Sequence, residues 1–448
     1  MTGTRVVVVG GGLAGITAAL ECAEAGADVT LLEGRPRLGG ATFSIHRDGL
    51  WMDNGQHVYL RCCTAYRGFL ARLGVEAEVV LQERLSIPIV SAGGRVARLQ
   101  RTSLPAPFHL AATLARFPYL SPLDRLRFAR AAARLRRLDL TDPALDRRTF
   151  GDWLAEQGQS PAAVEALWDL IVLPTVNLPS REASLALAAK VFQTGLLQSA
   201  DAGDVGYAAV PLQRLHGDAG ARALENAGAT VRLRARARAI EQASGGLAVV
   251  GNGSALEADA VILAVPHEDA SALLPASAVP LGSELPRLGA SPIVNLHLVY
   301  DRPVTKLPFA AGHRSPVQWV FDRTASTGLD QGQYLAVSLS GADAYIGRRV
   351  EDLRREFLPA LEQLFPSARS ARLESFFVTR EQRATFRQAP GTRALRPGPR
   401  TEHPGLYLAG AWTDTGWPAT MEGAVRSGLA AAREALGRTA SRRVEVAA

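Results

Sequence analysis

Glycines at 10, 12 and 15 stand in G-x-G-x-x-G spacing, and an acid, Glu33, follows 18 residues after the last of them. Such a set can hold a dinucleotide. Gly10 permits a tight turn, Gly12 lets backbone approach a pyrophosphate, and Gly15 lets a helix pack close to a strand. Leu13 and Ala14 open that helix, whose free N–H groups and positive dipole end face the phosphates. Glu33 can accept hydrogen bonds from ribose hydroxyls. Directly after it, Gly34-Arg35-Pro-Arg37-Leu-Gly39-Gly40 offers a second glycine pair and two arginines, suited to a second approach to a pyrophosphate. Further on, Asp53-Asn-Gly-Gln56-His57 puts a carboxylate and an imidazole in one polar, turn-forming stretch.

The elements needed to position these groups are legible around them. Arg5 to Val9 is a β-branched run that reads as a buried parallel strand. A helix is predicted from Leu13 to Ala25, ended by Gly26, and a second strand from Asp28 to Leu32 delivers Glu33. Near the far end, Gly405 to Gly410 reads as a strand running into a turn. The stretch from Trp412 to Ala424 then leads into a helix predicted to reach about Leu436, with Pro418 at its start and Ala424, Gly428 and Ala431 suited to close packing. Between these ends, strands are predicted at 228–234, 237–241, 247–250, 258–266 and 293–300, with Gly245 and Gly253 in hairpin turns.

Composition bounds the rest. The 448 residues are 47% hydrophobic and 21% charged, which is globular and excludes a disordered chain. The formal charge is +7, yet 48 of the 50 basic residues are arginine, Lys190 and Lys306 being the two lysines, and acids are interspersed among them. That is compositional bias, and no nucleic-acid partner is expected. Cys22, Cys62 and Cys63 contain no C-x-x-C, which excludes a disulfide scaffold and a zinc ribbon, and no metal site is expected. The apolar run at 6–20 is cut by glycines and followed by Glu21 and Glu24, unlike a signal peptide. No stretch reaches the ~18 apolar residues of a membrane span. A cytoplasmic location is expected, with peripheral attachment at the inner face of the cell membrane left open.

The stretch from Glu33 to Gly40 resembles the FAD-dependent amine oxidase and phytoene desaturase superfamily, whose members carry E-x-R-x-x-x-G-G here. Arg37 and Arg35 are both candidates for its arginine, and Ala41 stands where many members have arginine after the glycine pair. The resemblance implies FAD as cofactor and an α/β fold: a Rossmann-type FAD-binding domain with an inserted mixed α+β substrate domain. The FAD-binding parts are expected at 1–90, 205–275 and 395–448, the last with a C-terminal tail, and the substrate parts at 91–204 and 276–394. It implies flavin contacts from Gln56 and His57, backbone of Ala237 near adenine, and Ala264 near the pyrophosphate. From the C-terminal motif it implies Gly410, Asp414, Ala419, Met421 through its backbone N–H, and Glu422. Ala411 replaces an acid that usually binds a ribityl hydroxyl, so either Asp414 substitutes or ribityl contacts are weaker. Capping of the helix is the alternative role for Asp414 and Glu422.

Within that superfamily the residues separate several branches. Amine oxidases tend to carry a lysine near the flavin on a substrate-domain strand. The matching strand, Ile293 to Tyr300, has none. Trp417 could form one wall of their aromatic cage, but Thr420 occupies the second position. The D-N-G-Q-H stretch resembles instead the bacterial hydroxysqualene dehydroxylases. Leu104-Pro-Ala-Pro-Phe108-His-Leu, Phe150-Gly-Asp-Trp153-Leu, Asn177 to Ser184 and the Trp412 motif are similar to theirs as well.

This resemblance implies reductive loss of hydroxyl from hydroxysqualene, a long-chain isoprenoid allylic alcohol, to give squalene. Hydroxide leaves poorly without a proton, and the allylic cation left behind needs a dry site. Reduced flavin delivers a hydride to carbon. His57 is expected near the leaving oxygen, directly or through water, with Asp53 orienting the loop. The alternative is that His57 only hydrogen-bonds flavin or backbone. Electrons are expected from NAD(P)H, bound without a second fingerprint, or from a reductase. A carotenoid desaturase or isomerase is the rival reading; an amine oxidase or a non-enzymatic prenyl-lipid binder stands behind it. Six arginines between Leu123 and Leu138 alternate with apolar residues, read either as a basic amphipathic helix on an anionic membrane or as a solvated face.

Overall fold

The computed structural model describes residues 3–243, 246–251, 255–275 and 282–447. Val6 to Val9 are almost wholly buried, as a strand covered on both faces must be. Arg5–Val9 is the middle of a five-stranded parallel sheet, ordered Thr230–Leu233, Asp28–Glu33, Arg5–Val9, Ala260–Leu263, Leu406–Leu408. Helices cover one face. Leu13–Glu24 lies there beside the long helix Met421–Ala447, and the small-residue stripe lets them close up: a Cβ on Gly428 would stand 2.3 Å from the Ala14 carbonyl oxygen. On the other face sits an antiparallel flap of Ala239–Ala243, Gly246–Val250 and Ala255–Ala258, with Leu247 and Val249 packed among Val7, Val9 and Val261. Gly245 and Gly253 lie outside the described residues.

A second, seven-stranded sheet runs in the order Leu373–Thr385, Ser291–Tyr300, Gln333–Ser340, Trp319–Asp322, Phe309–Gly312, Ser86–Ser91, Arg95–Gln100. Its pairings are antiparallel except that of Phe309–Gly312 with Ser86–Ser91. Helices at Phe150–Glu156, Asp169–Val176 and Leu185–Phe192 build a core of their own around Phe150, Trp168 and Phe192. We propose two units, one around each large sheet. The boundary expected at 90 then moves back ahead of Ser86, because Ser86–Ser91 belongs to the seven-stranded sheet. The boundary expected after 275 borders residues 276–281, outside the described residues.

Two details of the C-terminal helix differ from the sequence reading. It starts at Met421, not Pro418, because the Thr420 hydroxyl accepts from the Gly423 N–H and so caps the helix three residues later. It also runs past Leu436 to Ala447; no proline follows to stop it.

Between the two sheets lies a small one, Val58–Leu60, Val205–Ala208 and Val79–Leu81. One buried ion pair ties this small sheet to the seven-stranded sheet and to the hairpin that ends in Asp53. Asp53 ends the strand Leu50–Asp53; Arg323 follows the strand Trp319–Asp322 of the large sheet. The Arg323 guanidinium donates to Asp53 Oδ2 at 2.9 Å and to the carbonyl of Ala208 at 2.5 Å. Asp53 Oδ1 accepts from the Ser44 hydroxyl at 2.6 Å and the Leu212 N–H at 3.0 Å. Removing one partner of a buried pair strands the other without solvation. Arg323→Met is therefore expected to lower unfolding stability by about 3–5 kcal/mol. Asp53→Leu with Arg323→Met should cost less than the sum of the single changes, read by denaturant unfolding as a double-mutant cycle.

Candidate active site

The glycine turn is shaped as its sequence requires. Gly10 has φ +109°, and a Cβ there would stand 2.4 Å from the Ala264 carbonyl oxygen. One on Gly15 would stand 1.8 Å from the Gly10 carbonyl oxygen. Gly12 differs: the nearest atom to its Cβ position is the Gly40 Cα at 3.7 Å. Its neighbours do not demand glycine, and the open space beside it is the side from which a pyrophosphate would approach. The helix Leu13–Glu24 has no side-chain cap at its N-terminus, so its first N–H groups stay available to an anion.

The second glycine pair closes over the first. The Gly39 N–H donates to the Gly11 carbonyl at 2.9 Å, and Gly40 has φ +58° with its Cβ position 2.7 Å from Gly12 Cα. Glu33 Oε2 accepts from the Gly11 N–H and Oε1 from the Arg35 N–H, both at 2.7 Å, which fixes the carboxylate at the strand end. Gly34 lies against Arg236, and the Ala235 N–H donates to the Glu33 carbonyl, so buried Ala237 follows a segment running alongside. The two arginines part company. Arg35 is exposed, whereas Arg37 stacks 3.5 Å above the Phe43 ring and donates to the carbonyls of Leu38 and Gly40. Burial pushes its pKa down to about 10, so it remains a cation facing the turn.

The far motif meets this turn from the other side of the sheet end. Gly410, at φ +142°, donates its N–H to the Ser427 hydroxyl oxygen at 2.8 Å, and the Trp412 indole donates to the Val265 carbonyl at 2.9 Å. Buried Arg396 organises the loop by donating to the carbonyls of Trp412, Thr413 and Trp417. The backbone N–H of Met421 is unpaired among the described residues and stands at the start of a 27-residue helix.

Three residues expected to contact flavin have protein partners of their own. Asp414 is exposed and accepts from the Gly416 N–H, closing its own turn. Glu422 is buried, but its carboxylate is taken by the N–H groups of Ala65 and Tyr66 and by Arg426 Nε; it caps the helix Thr64–Arg72. The Ala419 N–H is taken by Gln388 Oε1 at 2.8 Å.

The D-N-G-Q-H turn lies beneath. Asn54 is held on every polar atom: its amide donates to Ala41 and Glu381, its side-chain oxygen accepts from the Phe43 N–H, and its backbone carbonyl accepts from Asn295 and Thr379. Gln56 and half-buried His57 border a small cleft of about 10 Å³, on the scale of one water molecule, shared with Asp53, Tyr207, Phe321 and Arg323. Burial, helped by Arg323 and opposed by Asp53, lowers the His57 pKa to about 4. The imidazole is neutral at pH 7, so it can donate one hydrogen bond but is not a store of protons. Both oxygens of Asp53 are used by Arg323, Ser44 and Leu212, which suits the loop-orienting role expected of it.

Sequence reasoning missed three residues. Arg323 and Arg396 were hidden among 48 arginines and are marked only by burial. Asn295 is wholly buried on the strand that was searched for lysine. Its amide nitrogen reaches the Asn54 carbonyl at 3.0 Å, while its Oδ1 has no partner and sits near Gly55. Two polar residues, Asn295 and His297, between the aliphatic residues of one strand were the available signal.

Comparison with known proteins agrees with this geometry. The family of flavin containing amine oxidoreductases matches over residues 13–436. A hydroxysqualene dehydroxylase of Rhodopseudomonas palustris is 31% identical, covering 95% of this chain and 97% of the relative. A probable zeta-carotene desaturase of Synechococcus elongatus is 28% identical over 96% and 98%. Among solved structures, wild-type putrescine oxidase bound to putrescine superposes with a TM-score of 0.74 at 20% identity, over 97% of this chain and 99% of that one, a likeness of fold. The chain belongs to the flavin containing amine oxidoreductase family and is an FAD-dependent oxidoreductase.

Proposed function

We propose that this protein removes the hydroxyl of hydroxysqualene reductively, giving squalene. The observation that carries the reading is the relation of the chain along its length to a hydroxysqualene dehydroxylase, together with a polar Gln56–His57 turn set beside Tyr207 and Phe321. The lack of a lysine in the strand Ser291–Tyr300, and Thr420 in place of a second cage aromatic, weigh against amine oxidation.

In this reading Gly10, Gly12, Gly15, Gly39 and Gly40 bring backbone to the FAD pyrophosphate, with Leu13 and Ala14 at the helix start and Arg37 as counter-cation. Glu33 takes the ribose. The Met421 N–H and the dipole of its helix face the flavin ring. Bound and reduced, FAD supplies a hydride. The protein aligns the allylic carbon, keeps water out with apolar walls, and holds the leaving oxygen by a hydrogen bond from neutral His57. NAD(P)H or a partner reductase supplies the electrons.

A membrane contact is the other part of the proposal. Among the described residues, no helix is long and apolar enough to cross a membrane. The helix Pro122–Leu135, opened by a Ser121–Asp124 capping box, carries Leu123 and Leu126 at 53% and 68% exposure on one stripe with Arg127, Arg130 and Arg134. Phe108 on the preceding segment is 62% exposed. Apolar residues ringed by arginine suit an anionic lipid surface at the inner face of the cell membrane, where a long isoprenoid would be met.

Anaerobic incubation of the reduced holoprotein with hydroxysqualene should yield squalene by mass spectrometry. Inactivity there, with conversion of phytoene to coloured polyenes, would establish the desaturase instead. His57→Ala should retain FAD and lose roughly tenfold in kcat, the upper value of one neutral hydrogen bond. Because His57 charges only near pH 4, kcat/KM should show no histidine limb from about pH 6 to 8. For the membrane, reversing Arg127, Arg130 and Arg134 to glutamate should weaken sedimentation with anionic vesicles at least ~100-fold, at about 1 kcal/mol per basic residue. Unchanged sedimentation would make this a solvated helix.

A further inference from the structure

The cleft beside His57 combines a polar floor with an apolar rim. Its free space of about 10 Å³ is that of one water-sized group. Five polar side chains line it. Asp53 is fully occupied by Arg323, Ser44 and Leu212. The other four keep groups free. Arg323 is 7% exposed, and its two terminal nitrogens donate to Asp53, Ala208 and Val210, but its Nε has no acceptor. The Gln56 amide, the His57 imidazole and the Tyr207 hydroxyl have no hydrogen-bond partner among the described residues. Polar groups converging on one small space, with nothing in the protein to satisfy them, call for a polar ligand there.

The rim has the opposite character. Val58, 39% exposed, pairs with Tyr207 across the small sheet. Phe321 also lines the cleft and pairs with Phe309, whose ring centroid stands 5.9 Å from that of Tyr207. Trp319, two residues before Phe321 on the same strand, has its ring 6.2 Å away. A water-sized polar space under an aromatic and aliphatic rim fits one oxygen carried on a hydrocarbon chain. A phosphate would overfill it.

We propose that this cleft receives the oxygen that leaves the allylic alcohol, held by Arg323 Nε, Gln56 and His57, with Tyr207 giving it the proton; the inference rests on the dehydroxylation reading above. Tyr207 carries the one hydroxyl in the lining. The C–O bond breaks with its electron pair on oxygen, the phenol transfers its proton to that oxygen, and water forms in the cleft. The electron-poor carbon takes the hydride, so the substrate is reduced by two electrons and the flavin oxidised by two. NAD(P)H or the reductase restores them, and solvent restores the phenol proton. The sum is ROH + H⁺ + H⁻ → RH + H₂O.

Charge favours this division of labour. Burial raises the Tyr207 pKa and Arg323 opposes it, so the phenol holds its proton at neutral pH. Once the proton is given up, the phenolate lies beside the Arg323 guanidinium, an interaction that stabilises it. The phenolate and the allylic cation are also opposite charges, created together and attracting each other until the hydride arrives.

The test varies the leaving group in flavin-loaded holoprotein, with rates normalised to flavin absorbance and Arg323 left in place because Asp53 depends on it. Tyr207→Phe should lower kcat on hydroxysqualene by roughly 10²–10⁴-fold, the usual worth of a general acid. FAD content and the unfolding midpoint should stay as in the unmodified protein. The allylic fluoride of the same skeleton fits the cleft and loses fluoride without a proton; it should react at similar rates in both proteins. The methyl ether, with one carbon more than the cleft has room for, should still bind, read by the flavin spectral change. In the unmodified protein it should turn over roughly 10–200-fold more slowly than the alcohol. Equal losses by Tyr207→Phe on alcohol and fluoride, or turnover of the alcohol within about threefold of the unmodified protein, would overturn the role of Tyr207. So would the alcohol-only loss appearing in His57→Ala instead. A methyl ether consumed as fast as the alcohol would overturn the cleft as receptor. No squalene from the unmodified protein would overturn the dehydroxylation reading and the assignment with it.

Discussion

The buried pairing of Arg323 with Asp53 is the constraint on which the site depends. A carboxylate and a guanidinium, each under a tenth exposed, are held there by further hydrogen bonds, with Arg323 Nε alone of the guanidinium nitrogens left without a partner among the described residues. Those bonds come from different elements. Ser44 belongs to the hairpin that ends in Asp53, Leu212 N–H and the Ala208 carbonyl flank the small central sheet, and Arg323 leaves the seven-stranded sheet. A charge pair buried this way tolerates little displacement, so the turn carrying Gln56 and His57 is fixed relative to the seven-stranded sheet and the small one.

A neutral chain of hydrogen bonds supports the same turn from below. Tyr334 contacts His297 at 2.8 Å, His297 contacts Thr379 at 2.9 Å, and Thr379 and Asn295 both donate to the Asn54 carbonyl. Burial lowers the His297 pKa to about 3, so this chain carries no charge at neutral pH. The turn is thus gripped by an ion pair at Asp53 and by uncharged donors at Asn54, and the next polar residues, Gln56 and His57, are those left facing the cavity.

How much of this could be read from the sequence follows from how each feature is encoded. The nucleotide turn was legible because backbone sterics demand glycine at Gly10 and Gly15, and because Glu33 falls where the second strand must end. The parallel strands were legible from unbroken β-branched runs. Roles of polar side chains were not. Glu422 and Asp414 sit at the expected positions, yet one caps a neighbouring helix and the other its own turn, because local N–H groups compete for carboxylates. Arg323 and Arg396 carried no pattern, since composition makes arginine uninformative in this chain and only tertiary burial separates a clamp from a surface cation. Asn295 was passed over because the strand was searched for lysine.

The same physics sorts the site's bases by what they can do. Enclosure penalises a charge that has no partner, so His57 is neutral, and the arginines that remain charged do so because carbonyls or carboxylates meet them: Arg323 through Asp53, Arg396 through three loop carbonyls, Arg426 through Glu422. Lys190 has an aromatic face instead of an acceptor.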